Sequence, residues 1–497
     1  MNLKKQTTIS LIWNGLNKVG YQVIALLVGI VTARLLTPTD FGYIAALAMF
    51  TMLSNILVES GFTAALVRRE NNTQSDYSTA FYFNVALSLI FYGGLFISAP
   101  TIADYFNMPP LTDLARVLFL AIIINSLFII PNIILTRQLR FKEIAIAELS
   151  GMIVSAVITI IMAITGFGYW AIAAQQISQL IVKVGIIWAL SKWRPSFEFS
   201  FKLLKEIFSF SFLLIISSLI STATRYIYNF FIGPRYSADD LGYYGQAFKF
   251  HQIPYNVITS TITGVSYPVF SSLNNDKDRQ MLYIQKIMRM TAFITFPVMI
   301  GLYCIAPNFI SVVLTDKWLP MLSYFKILII VGIAMPFINL NLNIFNAIGK
   351  PRIYFQMEFL RNGLIIALLF LLNSTIETIL YGYLIATYTT LIISSLMLQK
   401  HINYSLLDQI SHIFPSLILA IIMGVTITTI ETKLSMTNTM QLLLQFGIGT
   451  LTYISLAWGC HLQIMDDIVN IIKEKIKRIH QNYINYRLQK RVVSNSL

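Results

Sequence analysis

The sequence predicts an all-α polytopic membrane protein of about fourteen transmembrane helices, built as two parallel six-helix repeats plus two extra C-terminal helices. Three observations predict it. Of the 497 residues, 56% are hydrophobic and only 12% charged, with a mean hydropathy of +0.68; a soluble domain carries roughly 25% charged residues. Apolar runs of about twenty residues recur along nearly the whole chain, each long enough to cross roughly 30 Å of hydrocarbon as a helix. A turn phrase beginning near Arg34 also returns two hundred positions later.

The spans fall near 11–36, 41–67, 78–100, 114–136, 143–165, 169–190, 207–232, 241–270, 284–314, 321–347, 353–373, 376–399, 411–430 and 438–460. Runs such as "LIIALLFLL" and "SLILAIIMGV" lie too close together for a soluble chain with one large core. The first run, from about Leu11, does not end in a small-residue cleavage site and is expected to be the first membrane helix.

Lys and Arg divide unequally between the two sides. The N-terminus (Lys4, Lys5) and every second connection collect 25 of them, including Arg137, Arg140 and Lys142, Lys350 and Arg352, and seven from Lys473 to Arg491. The opposite side holds 5: Arg34, Arg116, Arg235, Lys317 and Lys433. Basic loops stay in the cytoplasm, so both termini are expected there. The net charge of +14 is then an orientation signal and a contact with anionic lipid, with no call for nucleic acid. The tail "IIKEKIKRIHQNYINYRLQKR" reads either as an amphipathic helix on the cytoplasmic leaflet or as a solvated tail. Cys304 and Cys460 lie in apolar runs and read as buried small hydrophobes. With no CxxC spacing and five scattered histidines, neither a metal site nor a cofactor is expected.

The recurring phrase is "RLLTPTDFGYIAALAMF" from Arg34, echoed by "PRYSADDLGYYGQAFKF" from Pro234. At an offset of 200, Asp40 falls on Asp240, Gly42 on Gly242 and Tyr43 on Tyr243. Ala99-Pro100 is echoed by Ala306-Pro307, and Pro110 by Pro320. At an offset of 210, Arg140 matches Lys350, Lys142 matches Arg352 and Glu148 matches Glu358. Such matches, in order, indicate a duplicated block of six helices. An even-numbered unit keeps its topology when duplicated, so the lobes are expected to be parallel repeats. The expected division is an N-lobe over 1–200, a C-lobe over 201–400, two further helices over 401–465 and a basic cytoplasmic tail over 466–497. Asp40 and Asp240 are placed to N-cap the helix after each turn.

The phrases "TARLLTPTDFGYIA" and "NIILTRQLRFKEIAIAELSG", with the fourteen-span pattern, resemble Wzx-like polysaccharide flippases. They are most similar to the colanic-acid/teichuronic-acid exporter branch of the multidrug/oligosaccharidyl-lipid/polysaccharide exporter superfamily. The resemblance covers nearly the whole chain. It implies a V-shaped pair of helix bundles around a central cavity, in a bacterial cytoplasmic (inner) membrane. The implied cargo is an undecaprenyl-diphosphate-linked oligosaccharide, moved from the inner to the outer leaflet for capsule, O-antigen or exopolysaccharide (lipopolysaccharide) assembly. Implied partners are that lipid-linked oligosaccharide, the bilayer, and a polymerase and co-polymerase of the same pathway.

The embedded residues bear on this independently. A charged side chain inside a span costs about 2.5–3.5 kcal/mol on insertion scales. Six basic residues fall inside the spans: Lys18, Lys183, Arg225, Lys249, Lys326 and Arg361. Lys183, Lys326 and Arg361 lie near span ends and are expected to snorkel. Lys18, Arg225 and Lys249 are deeper, each on a polar stripe. Asn14, Lys18 and Tyr21 share a face of the first span. Ser218, Ser221, Thr222, Arg225 and Asn229 share one on the seventh, and Gln246, Lys249 and Asn256 on the eighth. The tenth adds Asn339, Asn343 and Asn346. A diphosphate needs charge-assisted donors, and sugar hydroxyls need adaptable polar groups. The candidate substrate site is therefore Arg225, Lys18, Lys249, Asn14, Ser221, Asn229, Gln246, Asn256, Asn339 and Asn343; the competing reading of the stripes is interhelical hydrogen bonding. Glu59 is the candidate coupling carboxylate. Glu148 and Glu358 are expected to pair with Lys142, Arg361 or the loop bases.

An ion-coupled multidrug exporter of the same superfamily remains an alternative, although it wants a deep carboxylate and the first span has none. A polysaccharide polymerase or ligase remains another, although such enzymes need a sizeable outer loop and a reactive pair. A lipid-II-type flippase shares the diphosphate. A topology reporter fused after Arg491 should be active in its cytoplasm-specific form; activity only on the outer side would overturn the orientation.

Overall fold

The computed structural model describes residues 3–59, 62–69, 72–272, 276–433 and 436–466. Among these are sixteen α-helices: α1 Leu3–Leu35, α2 Pro38–Glu59, α3 Phe62–Arg68, α4 Gln74–Phe106, α5 Leu111–Leu118, α6 Leu120–Arg137, α7 Phe141–Ile164, α8 Tyr169–Ser191, α9 Phe201–Ile232, α10 Ala238–Ser272, α11 Lys277–Phe309, α12 Leu322–Ala347, α13 Pro351–Leu371, α14 Ile376–Ile402, α15 Leu406–Lys433 and α16 Asn438–Gly459. A π-helical turn, Ile310–Leu314, and a 3-10 turn, Asp316–Met321, follow α11. The helices fall on the expected spans, with α2 and α3 sharing one and α5 and α6 another. Twelve segments meet the length and apolarity of a membrane crossing; α9 and α10, at 32 and 35 residues, are also long enough. The chain is an all-α, multi-pass membrane protein. The basic tail expected over 466–497 lies, but for its first residue, outside the described residues.

The helices gather into two compact units, one of residues up to Ala247 with Val313–Met321, the other of Phe248–Val312 with residues from Leu322 on. In the first, α1 packs on α7, α7 on α8, α4 on α6 and α2 on α9. In the second, α11 packs on α15 and α16, and α12 on α14. Large apolar side chains remain exposed along many helices, such as Leu443, Phe446 and Leu451 of α16. In a bilayer these meet acyl chains as apolar as themselves.

The recurring turn has a physical explanation inside the first unit. In each copy, a hydroxyl residue just before the helix and an aspartate three residues on satisfy each other's backbone. The Thr37 N–H donates to the Asp40 carboxylate at 2.8 Å, and the Asp40 N–H to the Thr37 hydroxyl at 3.4 Å. The Ser237 N–H donates to Asp240 at 3.2 Å, and the Asp240 N–H to Ser237 at 3.0 Å. This is a reciprocal capping box. The expected capping role stands, but the assignment is corrected: Thr37 and Ser237 occupy the N-cap, and the aspartates sit at N3, because α2 and α10 start at Pro38 and Ala238.

The two turns also meet each other. A methyl group built on Gly42 would overlap the carbonyl oxygen of Ala238, and one on Gly242 would overlap that of Pro38. Position 42 touches 238 while 242 touches 38, the reciprocity of a local twofold. The Thr39 hydroxyl donates across the contact to Asp239. Fully buried Trp318 stands edge-on to Phe41 (5.4 Å) and Tyr243 (5.9 Å), one aromatic from each copy, and its indole N–H donates to the Ala33 carbonyl at 2.8 Å.

The second echo also has matching geometry. Arg140 and Lys350 are both N-caps, of α7 and α13. Each follows a left-handed residue, Leu139 (φ 56°) and Gly349 (φ 74°). The Arg140 N–H reaches the Leu135 carbonyl at 2.9 Å, as the Lys350 N–H reaches that of Phe345 at 2.8 Å. One expectation fails: Cys460 is exposed, since the apolar run stops at Gly459 and Cys460 is the C-cap of α16; Cys304 is half-buried.

Gly42→Ala and Gly242→Ala should each lower stability by about 1–3 kcal/mol, the usual cost of overpacking. The double variant should cost less than their sum, because both separate the same two backbones. Gly93→Ala, with open space around it, should be neutral or slightly stabilising. Thermal unfolding of detergent-purified protein checks all four.

Candidate functional site

The first candidate helix carries three different faces. Ile12, Leu16, Val19, Val23 and Leu27 of α1 form one exposed apolar arc. Asn17 is buried in the packing against α7, where its amide donates to Glu148 at 2.6 Å. Lys18 and Gln22 are exposed and Asn14 half-buried on a third, polar arc. The apolar arc suits lipid. A lysine and a glutamine on a separate exposed arc suit water. Tyr21 sits on the packing side, its hydroxyl accepting from Gln179 at 3.0 Å.

Helix α9 repeats the arrangement in the same unit. Ser218, Ser221 and Arg225 are exposed on one side. Phe212, Ile216 and Ile220 are exposed on the opposite side. Thr224, Tyr228 and Phe231 are buried between them. Asn229 continues the polar stripe into the packed part of the helix: it is buried, and its amide donates to the Ala45 carbonyl of α2 at 3.0 Å.

The other candidates are dispersed. Gln246 of α10 is buried, with no hydrogen-bond partner for either amide atom among the described residues. Lys249 and Asn256 are exposed on α10, in the second unit. Asn339, Asn343 and Asn346 are half-buried on α12, whereas intervening Asn341 is fully buried and donates to Ser394 and Ser395 at 3.0 and 3.2 Å. Glu59 is exposed at the last residue of α2.

The embedded carboxylates are engaged. Glu358 pairs with Arg361 at 2.7 Å, as expected. Glu148 does not take Lys142 or a loop base; its partners are Asn17 and, within electrostatic reach, Lys183. Lys142 is exposed and lies over the Trp13 ring instead. The Lys183 ammonium sits 3.7 Å from the Phe128 ring centroid, a cation–π contact that replaces the expected snorkelling. Sequence reasoning singled out Glu148 but could not find Asn17, which comes from a helix 131 residues earlier.

Comparison with known proteins places this architecture. The profile of the family described as polysaccharide biosynthesis protein matches residues 31–323, more than half of the chain. The chain belongs to that family. Among its relatives is the teichuronic acid biosynthesis protein TuaB of Bacillus subtilis (strain 168), 25% identical over 476 residues, 92% of this chain and 96% of that one. The lipopolysaccharide biosynthesis protein WzxC of Escherichia coli (strain K12) is 22% identical over 344 residues, 67% of this chain and 68% of that one. In fold, the chain is similar to a solved lipid II flippase MurJ in an inward closed conformation: TM-score 0.74, 17% identity, 92% of this chain and 100% of that chain. The exporter branch that the sequence phrases resemble is thus the one to which the family assignment points.

Removing Glu148 takes away the acceptor of the Asn17 amide and the negative charge that acts on Lys183. Glu148→Leu should therefore destabilise the protein by more than the ~0.5 kcal/mol of an exposed pair and less than the ~3–5 kcal/mol of a fully buried one. Adding Lys183→Met should recover part of the loss. A double-mutant cycle read by thermal unfolding checks this.

Proposed function

We propose that this chain is a flippase that moves an undecaprenyl-diphosphate-linked oligosaccharide from the inner to the outer leaflet of a bacterial cytoplasmic membrane, for assembly of a surface polysaccharide. The observation that carries the reading is the pair of polar arcs on α1 and α9, each holding a cation and each set apart from an exposed apolar arc of the same helix. Two cations facing acyl chains would cost roughly 5–7 kcal/mol on insertion scales. Facing a wet passage, they cost little and attract an anion. Membership of a polysaccharide biosynthesis family and a fold similar to that of a lipid II flippase support this class of cargo.

Arg225 is the residue assigned to the diphosphate. It lies seven residues before the end of α9 at Ile232, roughly 10 Å at 1.5 Å per residue, too far for easy snorkelling. Its planar fork matches two phosphate oxygens at once. At an offset of 200 its counterpart is Ala25, so the charge is not demanded by the shared scaffold. Lys18 supplies a point charge, and Asn14, Gln22, Ser218 and Ser221 supply exchangeable partners for sugar hydroxyls. In the second unit, Lys249, Asn256, Asn339 and Asn343 offer the same chemistry and are assigned to cargo contact there. An ion-coupled exporter would need a carboxylate free to take up a cation; Glu148 and Glu358 are already engaged, and Glu59, exposed at the last residue of α2, is the candidate for that role.

Arg225→Ala should abolish complementation of a flippase-null strain while the protein still accumulates in the membrane. Arg225→Lys should restore only part, because charge returns without the fork. Normal glycan export by Arg225→Ala, or failure through loss of the protein alone, would overturn the assignment.

A further inference from the structure

Apart from the polar arcs, the second unit contains a cavity of about 320 Å³ where the first half of α11, the second and third turns of α15 and the segment after α16 converge. Its cationic wall is Arg289 of α11, with His412 of α15 and His461 after α16 beside it. Ser411 and Ser416 stand beside them, the Ser411 hydroxyl donating to the Asp408 carbonyl of its own helix at 2.8 Å; Pro415, Leu462 and Ile464 complete an apolar side. Among the lining residues there is no carboxylate. The nearest one on α15, Asp408, is held by Ser405, whose hydroxyl donates to it at 2.5 Å and accepts from the Asp408 N–H at 3.0 Å.

The donors are oriented from behind. Arg289 gives one N–H to the Gln463 side chain, which fixes the guanidinium plane and leaves the rest of its five-donor fork available. Burial pushes the Tyr404 phenol up from its ordinary value, so it remains protonated. Its oxygen lies 2.8 Å from Nδ1 of His412, a hydrogen bond that holds the imidazole ring in place.

We propose that this cavity binds a phosphate group, and that its source is the headgroup of an anionic phospholipid. A guanidinium fork and two imidazoles converging from three elements suit a tetrahedral oxyanion with several acceptors. The apolar wall beside them suits the glycerol and first acyl carbons of a lipid. By the count of basic residues, this is also the cytoplasmic side, where anionic lipid concentrates.

The test is native mass spectrometry of the full chain with equimolar phosphatidylglycerol and phosphatidylcholine. The wild type should retain phosphatidylglycerol selectively. Arg289→Ala should weaken that retention by roughly tenfold or more, the loss of a charged hydrogen bond. Ser411→Leu, which removes no charge but fills the space, should weaken it as well. Arg279→Ala removes an equal charge from α11 outside the cavity, where Arg279 pairs with Asp276 at 3.2 Å, and should leave retention unchanged. Wild-type retention in both cavity variants, or an equal loss in Arg279→Ala, would overturn the site. A parallel arm measures thermal stabilisation by inorganic phosphate: stabilisation that Arg289→Ala abolishes, without selective lipid retention, would overturn the lipid source.

Discussion

Two helix N-termini touching backbone to backbone is the constraint on which the first unit depends. The starts of α2 and α10 each carry unpaired N–H groups and the positive end of a helix dipole, so bringing them together is unfavourable unless negative charge comes too. The sequence supplies Asp40 in one first turn and Asp239 and Asp240 in the other. Asp40 and Asp240 satisfy donors within their own turns, and Asp239 accepts from Thr39 across the contact. Glycine at 42 and 242 removes the last steric obstacle. The recurring phrase is therefore one interface written twice: each copy supplies both the glycine that yields and the carbonyl that advances. Trp318 then sets one flat ring against Phe41 and Tyr243, closing the seam between the copies.

How much of this was legible depended on the range of the interaction. Helix positions follow from runs of apolar residues, and the capping turns from Thr37-x-x-Asp40 and Ser237-x-x-Asp240, all local signals. The duplicated basic turn was legible too, and Arg140 and Lys350 prove to be equivalent N-caps. Periodicity gave the polar faces of α1 and α9 but not what each face meets. Asn229 shares a stripe with Arg225, yet one is buried against a carbonyl 184 residues away and the other is exposed. Glu148 found a partner on α1 that no spacing rule names. Compact packing groups Phe201–Ile232 and the start of α10 with the helices before them.

Membrane helices face a partition problem that soluble helices do not. A soluble helix has an inside and an outside; α1 has a packed arc, an exposed apolar arc and an exposed polar arc around one cylinder. Hydropathy summed along the helix averages the three and hides the third. The exposed cations are visible only when each position is assigned its own surroundings, which is why Lys18 carries information and Lys183, resting on Phe128, does not.

Leu139 and Gly349 perform the same left-handed step in the two copies of the basic turn. For a glycine that step is nearly free, while for a leucine it costs roughly 1–2 kcal/mol. The first copy holds the step with an added tie, the Ser10 hydroxyl donating to the Leu139 carbonyl at 2.7 Å. Two turns of matching sequence and geometry thus differ in how they keep their shape. The second rests in it by its own backbone preference, while the first is kept there by α1, so the N-terminal helix acts as the latch of a hairpin more than a hundred residues downstream.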